Sequence, residues 1–194
     1  CNSDGTAVKP ASFSITNAET VELSGTISDT NTAALGAGIV VNDRGGVYSG
    51  SKSANLLIQA KTISVYGSDL GIFLTRVSPD SGYTNIQLEA EKSLAISVDA
   101  DSAYGDAVRL TNTTGEKTDV SLKSPEVSIQ GNIIATRSNT NISADTATIN
   151  GNITLNDASS NLSLSNHSEK TANAILNGDV SSKGGISLSN QNII

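Results

Sequence analysis

The sequence predicts an all-β solenoid, a single chain wound into stacked turns of short strands, and three observations lead there. The pentapeptide Ile129-Gln130-Gly131-Asn132-Ile133 returns 20 residues later as Ile149-Asn150-Gly151-Asn152-Ile153, and in looser form as Leu176-Asn177-Gly178-Asp179-Val180. Around these copies apolar and polar residues alternate, as in Val120-Ser121-Leu122, Val127-Ser128-Ile129, Ile142-Ser143-Ala144 and Ala147-Thr148-Ile149. A period near 20 made of alternating strands broken by Gly, Asn and Asp marks coiled, stacked strands. Finally, aromatic residues are only 3% of the chain, and Trp and Met are absent. A wide core needs such side chains, whereas a narrow stack of Ile, Leu, Val and Ala does not.

The elements follow in order. Residues 1–12 are polar, lack alternation and form a lead-in segment; residues 13–194 form one solenoid domain, since 194 residues suit a single core. Strand character starts at Phe13-Ser14-Ile15 and continues through Val21 to Ile27, where Leu23-Ser24-Gly25-Thr26-Ile27 has the apolar-x-Gly-x-apolar form of the later repeats. The Gly/Ala-rich run from Ala33 to Val41 lacks a following helix and a P-loop lysine, so its glycines are expected to pack backbone closely and not to cradle phosphate.

Paired strands recur at Leu56–Ala60 with Ile63–Val65, and at Asn85–Ala90 with Leu94–Val98. Aligning Leu56, Ile86, Val120, Ile142 and Leu162 gives steps of 30, 34, 22 and 20 residues. Loops on one side of a coil lengthen at small entropic cost while the strands keep their stacking. The long turns Ser78–Tyr83 and Asp99–Asp106 are therefore expected to protrude. The final third, from Thr140, is short strands and Asn/Ser/Gly turns. It stops on Asn192-Ile193-Ile194 without a polar cap, so either the natural chain continues or an open end pairs with another molecule.

The formal charge is −7 and the sequence pI about 4.6, with 12 basic residues scattered along the chain. Nucleic acids and anionic membranes, which call for a basic patch, are thereby disfavoured as partners. No apolar run approaches the roughly 18 residues of a transmembrane segment. The single cysteine, Cys1, excludes an internal disulfide. An acidic chain rich in Asn, Ser and Thr suits export to the outside of a bacterial cell. Cys1 itself is a candidate for lipidation, because a mature bacterial lipoprotein begins on such a cysteine; an artificially appended residue is the alternative.

No residue set is assigned a catalytic or cofactor-binding role. His167, the only histidine, lies in a polar turn with no second histidine or thiol to build a metal site or relay, and is expected to be solvated. Asp99, Asp101 and Asp106 share one loop and are the candidate ligands for calcium, although the order of an EF-hand loop is missing. Glu89 and Glu91 alternate with Leu88 and Ala90, which places both on the outer surface as solvated charges. Arg44, Arg76, Arg109 and Arg137 fall in different phases of the repeat and suggest no common groove. The sequons at Asn112, Asn141, Asn152, Asn161 and Asn166 are explained by turn chemistry. Gly131, Gly151 and Gly178, with Asn132 and Asn152, are expected to be structural: glycines at a repeated corner, asparagines as a hydrogen-bonded ladder.

The motifs Ile-Gln-Gly-Asn-Ile, Ile-Asn-Gly-Asn-Ile and Ala144-Asp145-Thr146-Ala147-Thr148-Ile149, with their Ser/Thr/Asn-filled turns, resemble the passenger regions of bacterial autotransporter adhesins and hemagglutinin-like exoproteins. The resemblance covers roughly Phe13 to Leu188. It implies a right-handed parallel β-helix with irregular loop insertions, exported to the cell surface and acting without catalysis in adhesion, aggregation or biofilm formation. Its partners would be glycans or proteins of host or bacterial surfaces. Two further expectations stand beside it: a filament subunit that self-associates through uncapped ends, and a polysaccharide lyase or tailspike-like glycan-active protein.

Overall fold

The computed structural model describes residues 11–26, 36–43, 52–76, 81–102, 104–113, 118–168, 171–189 and 191–194. Among them every regular element is a strand. The first three tiers are β1 (Ala11–Gly25) with β2 (Ala37–Asp43), β3 (Lys52–Gly67) with β4 (Leu70–Arg76), and β5 (Ser81–Val98) with β6 (Asp106–Asn112). The next three each hold three strands: β7 (Thr118–Lys123), β8 (Glu126–Gln130), β9 (Asn132–Thr136); β10 (Asn139–Ser143), β11 (Thr146–Asn150), β12 (Ile153–Leu155); and β13 (Asn161–Ser165), β14 (Ala172–Asn177), β15 (Val180–Ser182). β16 (Gly185–Ser189) and β17 (Gln191–Ile193) begin a seventh.

Each strand pairs in parallel with its counterpart in the next tier, giving an eleven-stranded and a six-stranded sheet. The larger sheet turns a corner. One half of β5, through Glu89, pairs with β7, and the other half, from Ser93, pairs with β8. A single bent strand in the early tiers thus becomes two strands in the later ones. The tiers from β7 to β15 have three flat stretches each, an arrangement consistent with a solenoid.

Strand alternation then sorts the side chains. Ile58, Leu88, Leu122, Ile142 and Leu164 form one inward row, and Val65, Ile96, Ile129 and Ile149 another. Ile72, Val108, Ile133 and Ile153 supply the third face from the smaller sheet. These side chains are buried and belong to one hydrophobic cluster running from Val21 to Leu164. Like stacks on like, so the core stays narrow and needs no aromatic filler.

The register differs from the sequence alignment in one place. Val120 pairs with Thr140, not Ile142, so the steps after Val120 run 20 and then 22 residues. Alternation has a period of two, and a slip of two residues preserves which face is apolar, so the pattern alone cannot detect it. Two boundaries also move. β1 begins at Ala11, ahead of Phe13, and Ser81–Tyr83 lie in β5 and not in a turn, because pairing with β3 recruits polar residues through their backbone alone. Ser78, Pro79 and Asp80 lie outside the described residues.

The corrected register leaves Thr140 inward between Val120 and Leu162, with its hydroxyl buried and without a hydrogen-bond partner among the described residues. A buried, unpaired hydroxyl costs about 1–3 kcal/mol, and valine has nearly the same shape. Thr140→Val should therefore raise unfolding stability by about 1 kcal/mol or more in urea titration. Unchanged or lowered stability would contradict this placement of the Thr140 hydroxyl.

Candidate functional site

The bend between the two halves of β1, β3 and β5 forms a groove of about 350 Å³. Beneath it runs a column of alanines, Ala18, Ala60 and Ala90, stacked in register, with Ala60 and Ala90 buried in the core. A small side chain at this position lets the strand turn and leaves a trough outside. Along the rim, Gln59, Glu89 and Lys123 occupy the same position in successive tiers. The Gln59 amide donates to Glu89 Oε2 at 2.8 Å.

Two irregularities add to the same groove. The register shifts between Ile15 and Ala18, where two residues face the single Gln59, and Asn17 adopts a φ of +60°. It shifts again between Ala60 and Thr62, where Glu91 and Lys92 face the single Lys61. Both insertions are β-bulges, which bend a strand and re-aim a side chain. Asn17 and Glu91 both line the trough.

His167 reaches the groove from beyond β13. Its segment is folded back over the fifth tier by the Ser168 N–H, which donates to Asp145 Oδ1 at 2.8 Å, and by Ser143 Oγ, which donates to the Asn166 carbonyl at 3.1 Å. His167 Nδ1 is buried and finds no partner among the described residues. The hydrogen bonds from the Ser168 hydroxyl and N–H hold the Asp145 carboxyl below its usual range, with smaller help from His167. The trough thus presents two carboxylates, one ammonium, two amides and an imidazole.

Alternation with Leu88 and Ala90 predicts Glu89 and Glu91 together on one solvated outer face, and the polar turn predicts a solvated His167 apart from them. Glu91 is exposed and Glu89 and His167 half-buried, and the fold brings all three together. The signal available in the sequence was the bulged bend, Glu89-Ala90-Glu91-Lys92 against Gln59-Ala60-Lys61, one residue longer than its neighbour.

The three aspartates considered for calcium do not converge. Asp106 is buried at the start of β6, taking Arg109 Nε at 2.6 Å and Asn132 Nδ2 at 3.2 Å. Asp99 accepts the Tyr66 hydroxyl at 2.8 Å, a bond that holds the Tyr66 phenol above its ordinary value, and Asp101 is exposed. Among the described residues no three acids, histidines or cysteines are grouped to hold a metal ion. The loop spacing put them together on paper; pairing of β6 with β9 draws Asp106 into the sheet instead.

At the opposite corner, Gly25, Gly67, Val98, Gly131, Gly151 and Gly178 fall in one column through the register of their strands. Backbone packs on backbone there: a Cβ on Gly151 would lie 2.3 Å from the Gly131 oxygen, and one on Gly178 2.3 Å from the Gly151 oxygen. Gly131 also needs a φ of +130°. Next to the glycines, Asn132 Oδ1 accepts the Asn152 N–H and Asn152 Oδ1 accepts the Asp179 N–H, both at 2.9 Å. Two side-chain rails lie elsewhere: Asn139 donates to Asp119 at 2.6 Å and Asn161 to Asn139 at 2.9 Å, while Asn177 donates to Asn150 at 2.7 Å.

Arg109 stacks over Tyr104 at 5.0 Å, and Arg137, with φ +50°, pairs with Asp157 at 3.1 Å; the two arginines share no groove. Cys1, Arg44 and the side chain of Arg76 lie outside the described residues. No helix among the described residues is long and apolar enough to cross a membrane. Comparison with family models, with curated proteins and with solved structures finds no match to this chain.

The Asp157 carboxyl is lowered to about 2 by the Ser159 hydroxyl, the Ser159 N–H and then Arg137. Unfolded, it would titrate near 4. The folded chain therefore binds fewer protons than the unfolded one between those values, and the stabilisation is present above pH 4 and lost as pH falls toward 2. Asp145 contributes with the same sign. Thermal unfolding of Asp157→Asn should show a shallower loss of stability between pH 4 and 2 than the unaltered chain; parallel pH curves would contradict this assignment.

Proposed function

We propose that this chain is a right-handed parallel β-helix that acts outside the bacterial cell as a non-catalytic adhesin segment, binding glycans or proteins of host or neighbouring-cell surfaces. One observation carries the reading: the outer surface is polar and repeats in register from tier to tier. On one face Asn55, Asn85, Asp119, Asn139 and Asn161 stand in a single row, flanked by Gln87, Ser121, Asn141 and Ser163. An array with one polar group every tier, about 4.8 Å apart, offers many weak contacts to an extended partner, and such contacts sum through multivalency.

Four aspartates are employed in holding the fold: Asp106 with Arg109, Asp119 with Asn139, Asp145 with Ser168 and Asp157 with Arg137. This supports a binding role over the lyase or glycosidase alternative. Localisation at the cell surface follows from the same reading and from the acidic, cysteine-poor composition.

A filament subunit is the second reading, favoured by the last strands. Ile186 and Leu188 are 39% and 37% exposed, whereas Leu162 and Leu164, the residues they pair with, are 1% exposed. In this reading, strand addition by a second copy covers that row and pairs with the outer edge of β16.

Labelled protein incubated with epithelial or bacterial cells should bind saturably and be displaced by soluble glycans or by protease treatment of the cells, without consuming either. Sedimentation velocity at micromolar concentration separates the two readings. A monomer that binds cells supports the adhesin, long polymers that Ile186→Lys dissolves support the filament, and a monomer that binds nothing contradicts both.

A further inference from the structure

We propose that the bend groove is a binding site for a linear, non-acidic polysaccharide, with its chain running along the stack. This inference rests on the adhesin reading and names the site and ligand class for it.

Asn17, Gln59, Glu89 and Lys123 come from four consecutive tiers, so the rim offers one polar side chain about every 4.8 Å over a length of roughly 14 Å. A linear chain of β-linked pyranoses repeats on nearly that spacing. A small rigid ligand would use one or two of these groups; a polymer uses all of them.

The chemistry fits hydroxyls. Amides donate and accept, carboxylates accept, and the ammonium donates, so vicinal hydroxyls find a partner of either kind at each step. A volume of about 350 Å³ lies at the small end of ligand sites, which run from roughly 300 to 1,000 Å³.

The groove is also built, and is more than what a regular stack leaves behind. Both bulges of the bend point into it, one on a non-glycine residue held at positive φ. Such distortions persist where a function keeps them. The Asp145-anchored segment then delivers His167, with its unpartnered buried nitrogen, to the end of the trough.

Charge sets the class. Glu89 and Glu91 outnumber Lys123, and the whole chain carries −7, so uronates and sulfated glycans are repelled while neutral and amine-bearing glycans are admitted.

The test titrates the 194-residue chain with three oligosaccharides of equal length: a neutral N-acetylated β-1,4 pentamer, its deacetylated amine-bearing form, and an oligouronate. Calorimetry should show binding of the first two and none of the third. Glu89→Gln with Glu91→Gln should weaken binding at least tenfold, and the milder Glu91→Ala alone should weaken it measurably. Ser128→Ala, on a neighbouring face, should leave it unchanged, and circular dichroism should be the same throughout. Unchanged affinity in the groove variants, preference for the uronate, or binding of none of the three would overturn the assignment. Cell binding read on the same variants distinguishes the two failures. If cells are still bound while the oligosaccharides are not, the adhesin reading survives without this site; if neither is bound, both fall.

Discussion

Parallel, in-register pairing between consecutive tiers is the constraint from which the rest of this structure follows. A residue such as Leu122 is held between Leu88 and Ile142, each one tier away and pointing the same way, so its size must suit both. The same requirement applies at every position round the coil. It yields aliphatic rows inside, a glycine column at one corner, an alanine column at the bend, and rails of asparagine outside. Each column has its own physics: dispersion and burial for the aliphatic rows, close backbone approach for Gly131, Gly151 and Gly178, and donor-to-acceptor chains for Asp119, Asn139 and Asn161. A substitution is therefore felt one tier up and one tier down, and hardly elsewhere.

Interest concentrates where the stacking is imperfect. Tier three carries Val98 where five other tiers have glycine, and the chain there leaves the sheet for the Asp99–Gly105 loop. Tiers one and three carry the extra residues at the bend, and the groove opens beside them. Tier six carries the longer stretch after β13, and it returns His167 toward that groove. Departures from the repeat supply the features that a surface of identical rungs could not: a concave site, a fixed end to it, and a local mixture of charges.

Much of the architecture was legible in the sequence. The Ile-x-Gly-Asn-Ile copies pair as their spacing implied, Ile129 with Ile149 and Ile149 with Leu176, then Ile133 with Ile153 and Ile153 with Val180. The inward rows follow from alternation. Less legible was anything that alternation leaves degenerate, such as the two-residue slip that places Thr140 inside. The groove was hidden for a different reason. Asn17, Gln59, Glu89, Lys123 and His167 are spread over most of the chain, and they become neighbours only through the exact stacking of tiers with unequal loops. The aspartates at 99, 101 and 106 show the converse, since nearness in sequence was overridden by the sheet.

Register is thus the quantity to measure, and cysteine pairs on the outer surface measure it directly. With Cys1 replaced by serine, Ser121→Cys/Asn141→Cys places two thiols on partnered residues of β7 and β10. Their Cα atoms lie about 4.8 Å apart, inside the range a disulfide spans. In the slipped alternative Ser121 would pair with Ser143, which the observed register sets beyond about 7 Å, out of disulfide reach. Rapid oxidation of the 121/141 pair with none of the 121/143 pair is the result expected here; efficient bridging of 121/143 with failure of 121/141 would contradict the stacking on which the whole account stands.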